Sequence, residues 1–230
     1  MAYVLGFLVA DGNIQRRGYY VKVEVKPEDR ALLEFICDQI SPGYELRQSR
    51  PSELRWYPAS AIIKTDLAKL GVVPCKTGQE IVPPNLPDAY LWDFIRGLFD
   101  GDGTVGDCHV AITSNSKSIL DDLSNRVGMG YVTRQRMNWN WVVERKDELT
   151  EYHNKLYVTG TYCLARKRSL FDYLVSSQQR GKHRPFTLPE DDYIRGNYRS
   201  QTRFELAMAL GRSGTSIKNR LKKLGIKKGG

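Results

Sequence analysis

Two nine-residue stretches, VLGFLVADG at 4–12 and IRGLFDGDG at 95–103, decide how this chain folds. Both place a glycine at the third position, mostly apolar residues around it, and Asp-Gly at the end. Asp102 follows Asp11 by 91 residues, and similar segments follow each stretch in similar order. Such self-similarity indicates two copies of one structural unit.

Hydrophobic periodicity predicts the same elements in both copies. After the first stretch we predict, in order, a strand over 19–26, a helix over 28–40, strands over 44–50 and 54–63, and a helix over 65–70. After the second we predict a strand over 108–113, a helix over 116–127, strands over 131–137, 141–144 and 156–165, and a helix over 170–175. With Gly18 turning a hairpin into the strand over 19–26, we assign each half the order αββαββα, which makes the fold α+β. The predicted domains are 1–87, whose last five residues PPNLP form the link between halves, 88–176, a second linker over 177–189, and a helical module over 190–230.

Two such motifs, each opening an αββαββα half, resemble the LAGLIDADG homing endonucleases in their single-chain, two-motif form. The resemblance covers roughly residues 1–176. It implies a monomer that cuts double-stranded DNA at a long, asymmetric site, with no small-molecule cofactor and with a gene carried in an intron. Val9 departs from the pattern, because the first motif commonly carries an acid there, whereas Asp100 keeps the acid in the second motif.

The residue types in the motifs make chemical sense independently of the resemblance. Gly6 and Gly97 would let two helices pack with their backbones close together, which brings Asp11 and Asp102 to one place. Two carboxylates at the negative ends of helix dipoles are unfavourable unless a cation neutralises them. Oxygen ligands of this kind suit Mg²⁺, or a similar cation such as Mn²⁺. We expect a metal site at Asp11 and Asp102, completed by the preceding residues Ala10 and Gly101. A pair of core helices that happen to end in Asp-Gly turns is the alternative.

The family also places a basic residue near each active site, between the last strand and the last helix of each half. Lys64 and Lys167 occupy matching places by this criterion, and each precedes an apolar helix position by three residues. A lysine there would steady the attacking water or the charge that develops on the phosphate. The alternative, equally open, is a solvated lysine at a helix start.

Alternation along the strands predicts polar faces suited to a major groove. In the first strand, Val21, Val23, Val25 and Tyr19 would face the helices and the residues between them would face DNA. The alternative is that these polar faces are simply solvated. The predicted DNA contacts of the two halves are Arg16, Tyr20, Lys22, Glu24, Lys26, Arg47, Ser49, Thr113, Asn115, Arg134, Gln135 and Arg136.

The charge distribution points to the end of the chain as a second DNA-binding part. The net charge is +9, and residues 180–230 hold 13 lysines and arginines against 4 aspartates and glutamates. All the excess positive charge therefore lies there. A helix, a turn with two glycines and a second helix over 204–224 are similar to a helix-turn-helix, with Ser213 or Thr215 as the helix cap. A basic helical tail without this role is the alternative. The predicted DNA contacts in this part are Arg212, Ser216, Lys218, Asn219, Arg220, Lys222 and Lys223.

Other features narrow the class of protein. The apolar run over 3–10 is too short to span a bilayer, and the four cysteines and three histidines lack zinc-like spacing. We therefore expect an intracellular protein in the cytoplasm, nucleoid or an organelle, not a secreted one. Two rivals share the scaffold: a transcription regulator that has lost the nuclease, and an RNA-splicing maturase. The presence of both acids favours the nuclease.

Overall fold

Two helices that cross at the centre of the molecule organise the fold. The computed structural model describes residues 1–158, 161–179 and 184–226. Helices α1 (Ala2–Asp11) and α4 (Leu91–Asp102) are the two repeated stretches, and they lie against each other. A Cβ atom at Gly6 would lie 2.0 Å from the carbonyl oxygen of Phe94, and one at Gly97 would lie 1.9 Å from that of Tyr3. Only glycine allows this approach, so the close packing expected at both positions is confirmed.

Each half carries one antiparallel four-stranded sheet with helices on one face. The first sheet has the order β1-β2-β4-β3 and the second has the order β5-β6-β8-β7, so the two are related by the repeat. The mixed α+β class predicted from the sequence is confirmed. The strands are β1 (Asn13–Ile14), β2 (Val21–Val25), β3 (Arg47–Arg50), β4 (Glu53–Trp56), β5 (Gly103–Val105), β6 (Val110–Ser114), β7 (Tyr131–Gln135) and β8 (Asn138–Val143).

The remaining helices cover the inner faces of the sheets and form the tail. One hydrophobic core runs through both halves, from Val4 and Val23 to Trp141 and Phe171. A separate small core holds the tail together around Leu206 and Ile217. The helices are α2 (Arg30–Ile40), α3 (Ala61–Lys69), α5 (Lys117–Val127), α6 (Lys146–Leu156), α7 (Ala165–Gln179), α8 (Leu188–Asn197), α9 (Arg203–Leu210) and α10 (Gly214–Lys223).

The structure corrects three predicted elements. No strand covers 156–165 in its described part; instead α6 ends at Leu156, and Leu149, Tyr152 and Leu156 are buried on one face of this helix. The strand predicted over 54–63 ends at Trp56, because the Ser60 hydroxyl accepts from the backbone N–H of Ile63 and starts α3. Helix α7 continues to Gln179, so the predicted linker at 177 begins within a helix.

Among the described residues, no helix is both long and apolar enough to cross a bilayer.

Candidate active site

The two repeated acids lie at the adjoining ends of α1 and α4. Asp11 and Asp102 are the last residues of these helices, and Gly12 and Gly103 follow them in extended conformation. A side chain at Gly101 would reach within 2.3 Å of the Ala10 methyl group and 3.4 Å of an Asp11 carboxylate oxygen. The chain therefore brings the two carboxyl groups and the two preceding residues together, as the sequence predicted.

Loss of hydration disfavours the ionised form of both acids. Together with repulsion by the neighbouring Asp11 carboxylate, it raises the pKa of Asp102 to about 6, although Lys76 and Lys167 lower this pKa. The pKa of Asp11 is also raised by loss of hydration, against the lowering effects of Lys167 and Lys76. The Asp11 side chain remains exposed to solvent and that of Asp102 is half-buried, so both are accessible.

Two lysines cap the ends of the central helices. The Lys167 ammonium donates to the carbonyl oxygens of Phe99 at 2.8 Å, Asp100 at 2.8 Å and Gly101 at 2.9 Å. The Asp100 and Gly101 carbonyls lack a helical partner, and that of Phe99 also accepts from the backbone N–H of Gly103. All three carry the negative end of the α4 dipole. The side chain is 7% exposed, and this burial lowers the pKa of Lys167 to about 8. Lys167 thus lies at the acidic pair, as expected.

Lys76 caps the C-terminal end of α1 in the same way as Lys167 caps that of α4. Its ammonium donates to the carbonyl oxygens of Leu8 at 2.8 Å and Ala10 at 2.8 Å, and to that of Val9 between them. Burial lowers the pKa of Lys76 to about 8, while Asp102, Glu80 and Asp11 raise it. Because an ammonium group has three N–H donors, three carbonyls use all of them. Both lysines therefore act on the helix ends, and neither has a spare donor for a water molecule.

Lys64 does not lie at the expected strand–helix junction, and its ammonium contacts a loop of the first half. Its ammonium donates to the carbonyl oxygens of Gln15 at 2.9 Å, Arg16 at 3.4 Å and Gly18 at 2.7 Å. These residues form the loop between β1 and β2. Lys64 lies within α3 and not in front of it, since Ser60 starts that helix. The sequence did hold a signal for Lys76, the lysine that caps α1. Lys76 precedes Lys167 by 91 residues, the same interval that separates the acids.

Asp100, the extra acid of the second motif, is a structural residue. Its carboxylate accepts from the Tyr3 hydroxyl at 2.7 Å and from the backbone N–H of Leu164 at 2.8 Å. It is 2% exposed, and this burial raises its pKa although both hydrogen bonds lower it. Asp100 thus joins α4 to α1 and to the segment before α7.

The open face of the first sheet carries a linked set of charged and aromatic side chains. Val21 and Val23 are buried, and Lys22 and Glu24 lie on the opposite face, as predicted. Glu24 lies between Lys22 at 2.7 Å and Arg55 at 3.9 Å. Tyr19, in contrast, is exposed and does not pack on the helices.

Further residues of the first half also differ from or extend the prediction. Tyr20 stacks on Tyr57 with ring centroids 4.7 Å apart, and the Arg55 guanidinium lies 5.2 Å from the Tyr57 ring. Arg55 and Tyr57 were not predicted to lie with these side chains, because the pairing register of β4 could not be predicted from the sequence. Arg16, Lys26 and Arg47 are exposed, and the side chain of Ser49 lies outside the described part of the structure.

The open face of the second sheet is polar and less charged. Thr113 donates to Asn140 at 2.6 Å, and Asn140 donates to Gln135 at 3.0 Å. Thr113 follows Ile112, the backbone partner of Gly103, so it lies close to the end of α4 that carries Asp102. Asn115 is exposed between β6 and α5.

Two arginines of the second half lie at the end of the sheet. Arg134 pairs in register with Trp139 and its guanidinium lies 5.7 Å from that ring, and it also lines the cleft of the open face beside Gln135. Arg136 is exposed in the turn between β7 and β8, with a φ of 56°. Thr104, Thr133 and Asn140, which sequence analysis missed, line a shallow cleft of about 420 Å³ on the open face.

In the tail, the structure corrects two of the seven predicted contacts. Arg212 is 7% exposed and donates to Glu190 at 2.7 Å, and its guanidinium lies 3.9 Å from the Phe186 ring. Arg220 forms a two-pronged ion pair with Asp191. Both arginines therefore stabilise the three-helix tail and are not free for phosphates. Lys218, Asn219, Lys222 and Lys223 are exposed and Ser216 is half-buried.

The predicted cap of α10 is confirmed. The Ser213 hydroxyl accepts from the backbone N–H of Ser216 at 3.1 Å. Ser213, not Thr215, is therefore the cap.

Comparisons with known proteins agree with this architecture. Residues 90–157 match the family model described as a LAGLIDADG-like domain. No curated protein matches the chain in sequence. The solved structure of I-SmaMI bound to uncleaved DNA in the presence of calcium ions is similar with a TM-score of 0.59 and 14% identity, over 85% of this chain and 97% of that one.

Two other solved structures are similar at comparable levels. The LAGLIDADG meganuclease I-AabMI bound to uncleaved DNA gives a TM-score of 0.55 and 13% identity, over 77% of this chain and 89% of that one. A mesophilic variant of the homing endonuclease I-DmoI gives 0.51 and 16% identity, over 69% and 90%. The chain thus has the fold of the LAGLIDADG homing endonucleases, and its residues 90–157 match the model of a LAGLIDADG-like domain.

Proposed function

We propose that this protein is a site-specific, divalent-metal-dependent endonuclease that cuts double-stranded DNA as a single chain. One observation carries the proposal: Asp11 and Asp102 meet at the ends of two packed helices, and a lysine caps each end. Two partly desolvated carboxylates at one place destabilise each other and the fold. Proteins keep such arrangements where they serve a function.

The residues at this place fit a divalent cation. Within the described residues, no three histidine, cysteine, aspartate or glutamate side chains cluster as a metal site. Asp11 and Asp102 would instead hold the metal, together with the second lone pairs of the Ala10 and Gly101 carbonyl oxygens, which already accept from Lys76 and Lys167. This all-oxygen set suits Mg²⁺ or Mn²⁺. When bound, the metal would supply an activated water and charge stabilisation for phosphodiester hydrolysis.

The capping lysines would prepare the site without touching the reacting atoms. Each ammonium fixes three carbonyl oxygens of its helix end. The backbone that carries Asp11 or Asp102 is thereby held in one conformation. Each also places a positive charge near the carboxylates, which lowers the pKa of both acids and keeps them available as ligands.

The two open sheet faces are the proposed DNA-reading surfaces. The first presents Lys22, Glu24 and Arg55, and the second presents Thr113, Gln135 and Asn140 together with Arg134. Because the faces differ, a site read by both would be asymmetric. I-SmaMI and I-AabMI, which share the fold, were solved bound to DNA.

We propose that the tail adds phosphate contacts through Lys218, Lys222 and Lys223, and base contacts through Ser216 and Asn219. All five lie on α10. Replacing Lys222 and Lys223 with glutamine should lower affinity and reduce the slope of log affinity against log salt by about 0.9 for each phosphate that is no longer neutralised. An unchanged slope would remove the tail from the DNA interface.

The decisive experiment compares binding with cleavage. A randomised duplex library incubated with the protein and Mg²⁺, followed by sequencing of the cut ends, identifies the target. Asp11→Asn and Asp102→Asn should then bind this target in Ca²⁺ yet not cut it in Mg²⁺. Asp147→Asn, an exposed acid paired with Arg145 on α6, is the control and should cut normally. Cleavage at the normal rate by either active-site variant would refute the assignment.

The three-helix tail with its capped α10 also suits a non-catalytic transcription regulator. This second function predicts a wild-type protein that selects a sequence from the library but leaves it intact in both Mg²⁺ and Mn²⁺. Cleaved ends in the same experiment would exclude it.

A further inference from the structure

The tip of the β5–β6 hairpin carries an acid that holds the tail. Asp107, in the loop between these strands, forms an ion pair with the Arg203 guanidinium at 3.0 Å and accepts from the Thr215 hydroxyl at 3.4 Å. Its side chain is 17% exposed. A Cβ atom at Gly214 would lie 2.3 Å from an Asp107 carboxylate oxygen, so any side chain there would displace the carboxylate. Asp107 thus contacts the first turns of both α9 and α10.

A second contact fixes the tail to the same half. The Tyr173 hydroxyl of α7 donates to the carbonyl oxygen of Ala207 at 2.8 Å, and its ring is part of the tail's small core with Leu206 and Ile217. Tail and second half therefore meet at two separate places, on α7 and on the hairpin. Two such attachments set an orientation, whereas a single one would leave a hinge.

The hairpin of the first half is held in a different way. There the Lys64 ammonium binds the loop carbonyls, and the loop residues Arg16 and Arg17 are exposed. The two halves thus differ at their hairpin tips: a basic tip in the first, and an acidic tip covered by the tail in the second. An acidic tip would repel a DNA backbone. Because Asp107 binds the tail, this acidic tip supports the basic helix α10.

The contacts also restrict how α10 can meet DNA. Its first turn, at Gly214 and Thr215, lies against Asp107, so this end is not free to enter a groove. The side that carries Lys218 and Lys222 is exposed. A carboxylate at the start of α10 also lies at the positive end of its dipole, which stabilises the contact.

We propose that Asp107 is a positioning residue that locks α9 and α10 onto the hairpin of the second half. The tail is then a fixed extension of the DNA-binding surface of that half, contacting the phosphate backbone beyond it through the exposed side of α10. This inference rests on the proposed function for its DNA contacts, but the locked tail itself does not depend on DNA.

The test uses the full chain and variants with opposite charge changes. Asp107→Ala adds one positive charge and Arg203→Ala removes one, yet both break the same contact. Asp147→Ala adds the same charge as Asp107→Ala at a site away from the tail, and serves as the matched control. Hydrogen exchange without DNA follows the amides over 211–217, and hydroxyl-radical footprinting follows the DNA.

The expected result is faster exchange over 211–217 in both contact variants and not in the control. Protection of the DNA flank beyond the second half should disappear in Asp107→Ala in spite of its added positive charge, with the central protection and the cleavage rate retained. Asp107→Asn, which keeps an acceptor oxygen, should show a smaller decrease in protection.

Unchanged exchange would refute the lock, and an unchanged flank in Asp107→Ala would refute the positioning role. A wild-type protein that cuts DNA but protects no flank would also overturn the inference while leaving the endonuclease intact. A wild-type protein without cleavage would count against the proposed function alone, because the exchange measurement still decides the lock.

Discussion

Replacing Asp102 with asparagine should stabilise the metal-free protein while abolishing its proposed activity. In the folded chain the pKa of Asp102 is raised from 3.8 to about 6, chiefly by the loss of hydration and then by Asp11. Between pH 3.8 and 6 the folded state therefore binds a proton that the unfolded state has released, so stability falls as pH rises through this window. Above pH 6 the Asp102 carboxyl group is ionised in both states, and the folded state is destabilised by the full amount that corresponds to the pKa shift.

The size of the effect follows from the shift. One pKa unit corresponds to about 1.36 kcal/mol, and partial exposure of the carboxyl group reduces its share. We expect Asp102→Asn to raise the free energy of unfolding at pH 7 by about 1–3 kcal/mol, or the midpoint temperature by roughly 2–10 °C. At pH 3 the two proteins should be equally stable, because the wild-type acid is then neutral in both states.

The assay is thermal and urea unfolding in EDTA from pH 3 to 8, repeated with excess Mg²⁺ or Ca²⁺. Metal should stabilise the wild type above pH 6 and stabilise the variant much less, since mass action favours the state that binds. Asp147→Asn removes an acid whose pKa is lowered by Arg145 and should not stabilise. A destabilised Asp102→Asn protein in EDTA at pH 7, or equal metal stabilisation of both proteins, would refute the reasoning.

Two further predictions concern the lysines and the helix crossing. Replacing Lys76 or Lys167 with methionine should lower the single-turnover cleavage rate by about 10²-fold, because the electrostatic support is lost. Lys64→Met should leave this rate unchanged. A reduced rate in Lys64→Met would show that Lys64 contributes to the active site. Gly97→Ala should lower the free energy of unfolding by about 3 kcal/mol or more, because its methyl group would meet backbone and not a movable side chain. Gly196→Ala, in α8 with open space around it, should be neutral or slightly stabilising, and urea unfolding of both variants checks this.

The central helices and both sheets could be predicted from the sequence because each produces a pattern between residues that are close in the chain. The apolar runs with Gly6 and Gly97 predict the crossing, and alternation in β2 predicts which face Val21 and Val23 bury. These patterns depend on geometry that repeats every two residues or every turn. Where a short hydroxyl residue such as Ser60 starts a helix within an otherwise strand-like run, the pattern alone places the boundary wrongly.

Side-chain pairing was the part that sequence could not supply. Arg212 is of a residue type that commonly contacts phosphate, yet it is buried against Glu190. The pKa of the Glu190 carboxyl group falls to about 2 because Arg212 donates to it. Asp107 has no local feature that marks it as an anchor for Arg203. Such partners are distant in the chain and become visible only after the helices have packed.

Lys76 shows that a repeat holds more information than its motif. The acids, the packed glycines and the capping lysines all recur at 91 residues, although Lys76 lies in an irregular loop and Lys167 within α7. The lysines contact equivalent carbonyls, Leu8 to Ala10 in one half and Phe99 to Gly101 in the other. Secondary structure thus diverged between the halves while the position of the ammonium group did not. A group kept in register through such a change is required by the helix end that it caps, and therefore by the carboxylate that this end presents.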